Sequence, residues 1–380
     1  VSVKKAVEDI EPFVAAMLDR RLRNRALPPY EPVSVADLGE RLQEFLARRL
    51  PGAWVEGLAR MAGGGSKEQF RFELHGTGDH DGHYVLRMDP CEGVVETDRA
   101  REFAVIGAMA GTVPAPRAAW LDAEGAELGR PSILMSFVPG VIKPSDGQSG
   151  NITGTGLVFD RHWRDILAPQ FLGLLADIHG YDWRTLPADL FPAPVDDPHQ
   201  PALWQVNWWS RIWREDAVAA MPIAAVAEAW MRDNLPACGA PVLVHGDFRS
   251  GNFLFHEGTR AITAMLDWEL AHIGDPHEDL AWVLQNHVEE DGVRYHGGLI
   301  TETELLDGYT RLTGRAVDRA ALHFYRILGA YKCLVIAGAT ALRVAREKHS
   351  HQDILLSWMT AVSPMIQAEL CRLLKEAHAR

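Results

Sequence analysis

Val244-His245-Gly246-Asp247-Phe248-Arg249-Ser250-Gly251-Asn252-Phe253-Leu254-Phe255, followed by Ala264-Met265-Leu266-Asp267-Trp268-Glu269, is the stretch on which the reading of this chain turns. Apolar, strand-like residues flank both pieces and polar groups sit between them. Three side chains with oxygen acceptors, Asp247, Asn252 and Asp267, are therefore expected at loops and strand ends, where functional groups gather. Asn252 stands five residues after Asp247, and Asp267 follows Asn252 by fifteen.

Phosphoryl transfer needs such a set. A carboxylate must orient the attacking hydroxyl and accept its proton. Hard oxygen ligands must hold Mg²⁺, which keeps waters and takes one or two protein carboxylates. Positive charge must surround the moving phosphoryl group. Protein kinases place a base Asp five residues before a metal-binding Asn, with a second metal-binding Asp farther on.

With this spacing the sequence resembles the aminoglycoside/macrolide phosphotransferase family, whose signature is HGDxxxxN with a downstream IDW or LDW. His245-Gly246-Asp247-Phe248-Arg249-Ser250-Gly251-Asn252, Leu266-Asp267-Trp268-Glu269 and the run from Gly274 to Trp282 look closest to kinase-like domains related to those fused to some acyl-CoA dehydrogenases. The resemblance covers roughly residues 50–370. It implies a two-lobe, protein-kinase-like α+β fold with ATP between the lobes. By that resemblance Asp247 is the catalytic base, Asn252 and Asp267 bind magnesium, and His245 orients the loop. Arg249 stands where protein kinases carry a lysine on the moving phosphate, against the plainer reading of a surface arginine paired with Glu269 or a similar carboxylate. Asp275 and Asp279 are expected to brace the following helix.

Working outward, residues 52–138 read as a small antiparallel sheet with one helix. Phe70, Phe72 and Leu74 alternate with polar residues, a Gly/Asp-rich turn follows, and His83 to Met88 forms the next strand. A helix over 93–110 and strands near 118–121 and 133–138 complete it. Met61 to Phe70 contains Gly63, Gly64, Gly65, Ser66 and Lys67, placed between two predicted strands where the family carries its phosphate-covering loop. Glycines let backbone N–H groups approach phosphate oxygens. Arg87 occupies the third-strand position that is lysine in most kinases, a departure from the pattern, since arginine and lysine are not equivalent. Glu102 is its favoured partner and Glu96 the alternative. Ser136 to Gly140 resembles the segment linking the lobes, so the backbone of Ser136 and Val138 is expected to hold adenine.

Residues 1–51 are expected to form an N-terminal helical extension, broken by the prolines at 28, 29 and 32, with Ser34 capping its second helix. Residues 139–380 read as a helical lobe carrying the catalytic loop and the acceptor site, with helices over 163–180 and 202–235. The second contains Trp204, Trp208, Trp209, Trp213 and Trp230. Core packing is the plainer reading of these tryptophans. The sharper one places Trp208, Trp209 or Trp213 in an acceptor pocket for an apolar or acyl group. Asp79 to His83 and His349-Ser350-His351 read as a solvated turn and an exposed helix end. His179 reads as a hydrogen-bonded core residue.

Composition agrees with an ordinary globular protein: 47% hydrophobic and 23% charged residues. A formal charge of −13 argues against general affinity for nucleic acid or anionic membrane. Cys91, Cys238, Cys333 and Cys371 lie far apart without a CxxC, so neither a zinc site nor a disulfide framework is expected, as suits a reducing cytoplasm. No signal peptide is read at the start of the chain, and no run approaches the ~18 uninterrupted apolar residues of a membrane helix. The expected partner is a small-molecule hydroxyl acceptor, with homodimerisation left open. Three functions remain: a metabolic small-molecule kinase acting on a hydroxyacyl thioester or another hydroxylated metabolite, an aminoglycoside/macrolide antibiotic phosphotransferase, and a catalytically silent nucleotide-binding regulator.

Overall fold

The computed structural model describes residues 9–26, 28–61, 66–145, 157–194, 197–349 and 352–379. Gly63, Gly64 and Gly65 thus lie outside the described residues. Helix α1 (Pro12–Asn24) opens with a proline in its first turn, where the missing N–H costs nothing. Helix α2 (Val35–Arg49) starts at Ser34, whose hydroxyl accepts the Asp37 N–H.

Five strands follow: β1 (Trp54–Arg60), β2 (Glu68–His75), β3 (Gly82–Met88), β4 (Ala118–Asp122) and β5 (Ser132–Ser136). They form one antiparallel sheet in the order β1-β2-β3-β5-β4. Period-two alternation divides its faces. Phe70, Phe72, Leu74, Tyr84, Leu86 and Met88 share one core with Leu38, Leu42, Phe45 and Leu46 of α2. Each fully buried Leu or Phe there contributes about 1.5–3 kcal/mol, so α2 is the cover of the sheet. Val85 and Arg87 belong to the opposite face, with Ile133 and Met135 across the ladder. That face receives helix α3 (Arg99–Met109) through Val105, Ile106 and Met109.

Helix α3 is shorter than the 93–110 expected from sequence. Asp98 terminates it by accepting the N–H groups of Ala100 and Arg101, and residues 93–98 are not helical.

The remainder is mostly helical: α4 (Arg161–Gly180), α5 (Gln200–Asp216) and α6 (Pro222–Asp233) precede the catalytic-loop region. The single helix expected over 202–235 is therefore two, separated by residues 217–221, with Pro222 opening α6. Three short antiparallel ribbons follow. Strand β6 (Val242–Val244) pairs with β9 (His272–Gly274), β7 (Phe253–His256) with β8 (Ala261–Met265), and β10 (His287–Glu290) with β11 (Val293–His296). Between the second and third ribbons lies α7 (His277–Val283). Helix α8 (Glu302–Thr313) carries a capping box on Thr301 and Glu304. Helix α9 (Arg319–Val335) passes through a π-helical turn, Ile336–Thr340, into α10 (Ala341–Glu347), and α11 (Asp353–Ala361) and α12 (Ser363–His378) follow. The stretch from Arg319 to Glu347 is long and apolar enough to cross a membrane, but it lies buried as the central helix of this region.

Helix α1 bridges the two parts. Arg20 pairs with Asp98 at the start of α3 (2.6 Å), and Arg101 of α3 pairs with Glu11 (2.8 Å). On the helical side, the Trp204 indole donates to Asp9 and Arg21 pairs with Asp216.

Candidate active site

The β7–β8 register builds the centre of the site. Phe253 pairs with Met265, so the residues just beyond, Asn252 and Leu266, must lie side by side. Leu266 N–H donates to the Asn252 carbonyl (2.7 Å), which brings Asp267 beside Asn252. Asp267 adopts a left-handed backbone, φ 66°, a conformation that aspartate tolerates better than most residues and that recurs at functional sites.

On the other side, β6 ends at Val244 and releases the loop 245–252. Asp247 is the focus of its hydrogen bonds. Its Oδ1 accepts from Arg249 Nε (3.0 Å) and Trp282 Nε1 (2.5 Å), and its Oδ2 accepts from Asn252 Nδ2 (2.7 Å). The same Asn252 amide nitrogen donates to the Asp247 carbonyl (2.8 Å), so the side-chain oxygen takes no part in either bond. The Asp247 carboxylate raises the pKa of the Arg249 guanidinium. Arg249 pairs with Asp247 and not, as the plainer sequence reading had it, with Glu269.

His245 and Asp279 fasten this loop from beneath. Buried His245 accepts the Asp247 N–H on Nδ1 (3.2 Å), so its Nε2 carries the proton donated to the Leu266 carbonyl (3.0 Å). Burial lowers its pKa, in keeping with that neutral tautomer. Asp279 accepts the N–H groups of His245 (2.7 Å) and Gly246 (2.9 Å), and His179 contacts it at 3.1 Å. Burial alone would raise the Asp279 pKa, but His179 and His245 hold it below the ordinary value. His179 also bonds Tyr309 (2.8 Å).

The sheet contributes a second cluster. Arg87 reaches Asp267 (2.6 Å), Glu269 (2.7 Å) and Glu102 (3.2 Å), so Glu102 rather than Glu96 is its helix partner. Burial works against the Arg87 charge, but Asp267 and Glu269 outweigh it and raise the pKa. Ser66 donates to Glu269 (2.9 Å), while Arg99 pairs with Glu102 and with Asp89 (3.1 Å). Lys67 is buried against Asp89 (3.2 Å), which also pairs with Arg99 and so links it to the group. At the end of β5, Ser136 donates its N–H to Arg117 O (3.0 Å) and accepts the Arg117 N–H on its hydroxyl (2.8 Å). The Ser136 N–H and hydroxyl are thus tied to Arg117, just before the neighbouring strand β4. Val138 follows, half-buried, where the chain leaves the sheet.

Sequence reasoning missed Glu269 as the junction of Ser66 and Arg87, Trp282 as a donor to Asp247, and Lys332 as a donor to the Gly246 carbonyl. Glu269 was legible as the residue after Asp267-Trp268. Lys332 lies far along the chain and carried no local signal. Trp208 and Trp209 are 4% and 1% exposed and stack in the core, which removes them from an open acceptor pocket. His349 is buried against Glu92 (3.2 Å), not an exposed helix end.

Two other features lack this chemistry. Glu92, Glu347 and His349 have metal-ligand spacing, but Arg343 already pairs with both carboxylates. A cavity of about 850 Å³ lined by Arg164, Tyr295, Asp307 and Arg311 contains none of Asp247, Asn252 or Asp267.

This arrangement, a small antiparallel sheet over a helical region with carboxylates at the junction, is the protein-kinase-like fold. The profile of the phosphotransferase enzyme family matches residues 57–315, and the chain belongs to that family. Among curated relatives, acyl-CoA dehydrogenase family member 10 of Mus musculus is 30% identical over 205 residues, covering 53% of this chain and 18% of that protein. Acyl-CoA dehydrogenase family member 11 of Rattus norvegicus is 28% identical over 206 residues, covering 52% and 26%. The chain thus corresponds to a minor part of either relative. Among solved structures, a Ralstonia eutropha protein named for the aminoglycoside phosphotransferases superposes with TM-score 0.64 at 20% identity, covering 88% of this chain and 98% of that one. Aminoglycoside phosphotransferase APH(4)-Ia, solved with ADP and hygromycin B, gives TM-score 0.55 at 15% identity, covering 88% and 98%.

Proposed function

We propose that this phosphotransferase moves the γ-phosphoryl group of ATP to a hydroxyl on a small molecule, with a hydroxyacyl thioester as the first acceptor to test. The observation that carries the reading is the Asp247 carboxylate, held by Arg249, Trp282 and Asn252 beside Asp267. In this reading Asp247 orients the acceptor hydroxyl and takes its proton, and Arg249 balances charge on the transferring group. Arg87 and the backbone around Ser66 hold the phosphates, and Glu102 holds Arg87 in place. Val138 lines the adenine side. The amide oxygen of Asn252 and the Asp267 carboxylate, adjacent hard oxygen donors, suit Mg²⁺. When bound, the ion would neutralise phosphate charge.

The names of the mouse and rat relatives direct the acceptor choice toward acyl thioesters. A second reading, an antibiotic phosphotransferase, draws on the fold shared with the enzyme solved with hygromycin B. A silent regulator would not need Asp247, Asn252 and Asp267 gathered together.

The test is ADP release from MgATP against hydroxyacyl-CoAs, aminoglycosides, macrolides, choline-like amines and sugars. The expected result is release that depends on a hydroxyacyl-CoA and falls roughly 10²–10⁴-fold in Asp247→Ala. Near-normal turnover in that variant would refute the base assignment. Turnover with an aminoglycoside or macrolide alone would establish the second reading.

A further inference from the structure

Asp279 and Trp282 stand three residues apart on α7, so both face the loop released by β6. Asp279 holds the backbone N–H groups of residues 245 and 246, while Trp282 holds the carboxylate of residue 247. Between them lies Gly246, with φ 80° and no room for a Cβ, which would stand 2.6 Å from the Leu270 carbonyl. The Gly246 carbonyl accepts from Lys332 Nζ (2.7 Å). Lys332 projects from α9, just before the π-helical turn, and is 4% exposed. Its ammonium lies 4.3 Å from the ring centroid of Trp282 and 5.3 Å from that of Trp209.

Burying an ammonium is expensive unless its surroundings compensate. Here one carbonyl and two indole faces do so. The placement has two consequences for Asp247. The peptide joining residues 246 and 247 is fixed in orientation, because Lys332 holds its carbonyl oxygen. The Trp282 indole is also braced by the cation on its face, which draws electron density from the ring and makes the N–H a stronger donor to Asp247.

We propose that Lys332 and Trp282 are positioning residues for the Asp247 carboxylate, with Lys332 acting through both the Gly246 carbonyl and the Trp282 ring. The effect on turnover rests on Asp247 serving as the base. The coupling between Lys332, Trp282 and Asp247 does not depend on that reading.

The experiment follows the Trp282 indole N–H in ¹H–¹⁵N spectra of the full chain, assigned by its loss in Trp282→Phe. Removing its acceptor in Asp247→Ala moves this signal upfield. Lys332→Met is expected to move it in the same sense, and Lys332→Arg to restore most of the shift. Lys332→Gln, which keeps a donor toward Gly246 without the charge, separates the carbonyl contact from the ring contact and serves if the methionine variant does not fold. MgATP hydrolysis without acceptor is followed in parallel, where Lys332→Met is expected to lower kcat roughly 10²-fold, the scale of a misplaced reacting group, with KM for ATP unchanged. An unmoved Trp282 signal in folded Lys332→Met or Lys332→Gln overturns the proposal and leaves the base assignment standing. A moved signal with turnover indifferent to Asp247→Ala overturns the base assignment and leaves the coupling standing.

Discussion

Two clusters of arginines and carboxylates use the same chemistry for different ends. At the junction of sheet and helices, Arg87 meets Asp267, Glu269 and Glu102. Behind α1, Arg21, Arg25 and Arg343 converge on Asp216, and Arg21 and Arg343 also reach Glu92. The Asp216 side chain is fully buried and both its oxygens are engaged, Oδ1 by Arg25 and Arg343 and Oδ2 by Arg21 and Thr340. The Asp267 side chain is 29% exposed and sits on a left-handed backbone. One cluster is closed by its own donors and ties α1, α5 and α10 to the segment before α3. The other keeps a carboxylate turned to solvent, where a ligand can compete for it. Solvent access, rather than ion-pair content, separates the closed network from the one open to a ligand.

The largest break in this contrast comes from Asp216→Ala. It removes one of the two carboxylates that buried Arg21 and Arg343 share, a loss of about 3–5 kcal/mol. Urea unfolding measures it. A cost within a few tenths of a kcal/mol would mean that the closed cluster carries no stability. A smaller effect separates the clusters by function. Arg87→Lys keeps the charge but cannot span three carboxylates with one planar fork. MgATP affinity is expected to fall roughly tenfold, the equivalent of about 1.5 kcal/mol from one charge-assisted hydrogen bond. Arg343→Lys is expected to leave MgATP affinity unchanged and lower the urea midpoint instead. Equal effects of both substitutions on nucleotide binding, by calorimetry, would erase the distinction.

The two clusters also differed in how far the sequence disclosed them. Asp247, Asn252 and Asp267 were legible because their spacing belongs to one continuous loop and hairpin, where local register decides proximity. Arg87 and Glu102 were legible because a strand followed by a helix places them on facing elements. The Asp216 cluster had no such signal. Its members come from residues 21, 92, 216 and 343, on three helices and the segment before α3 that tertiary packing brings together. Lys332 was hidden for the same reason: a lysine in an apolar helix reads as a surface residue until Trp282 and Trp209 are seen around it. The start of α3 was missed because apolar Val94 and Val95 mimic helical spacing, whereas the Asp98 cap sets the boundary.

The smallest expected effect concerns pH and isolates the closed cluster. Burial would raise the Asp216 pKa, but Arg21, Arg343 and the Thr340 hydroxyl reverse this and leave it below its ordinary value. A depressed carboxylate pKa means that the unfolded chain binds the proton more tightly than the folded one. The stabilisation from ionised Asp216 is therefore complete above the ordinary aspartate value of about 3.9, and is lost as pH falls through the lower native value. Asp216→Asn removes this dependence while keeping the side chain's shape. The difference in urea midpoint between wild type and Asp216→Asn should hold steady from pH 7 to pH 5 and narrow as the pH drops below about 4. Other carboxylates titrate in both proteins and cancel in the difference. A gap that stays constant through that range would show that the charge of Asp216 is not what the three arginines recognise.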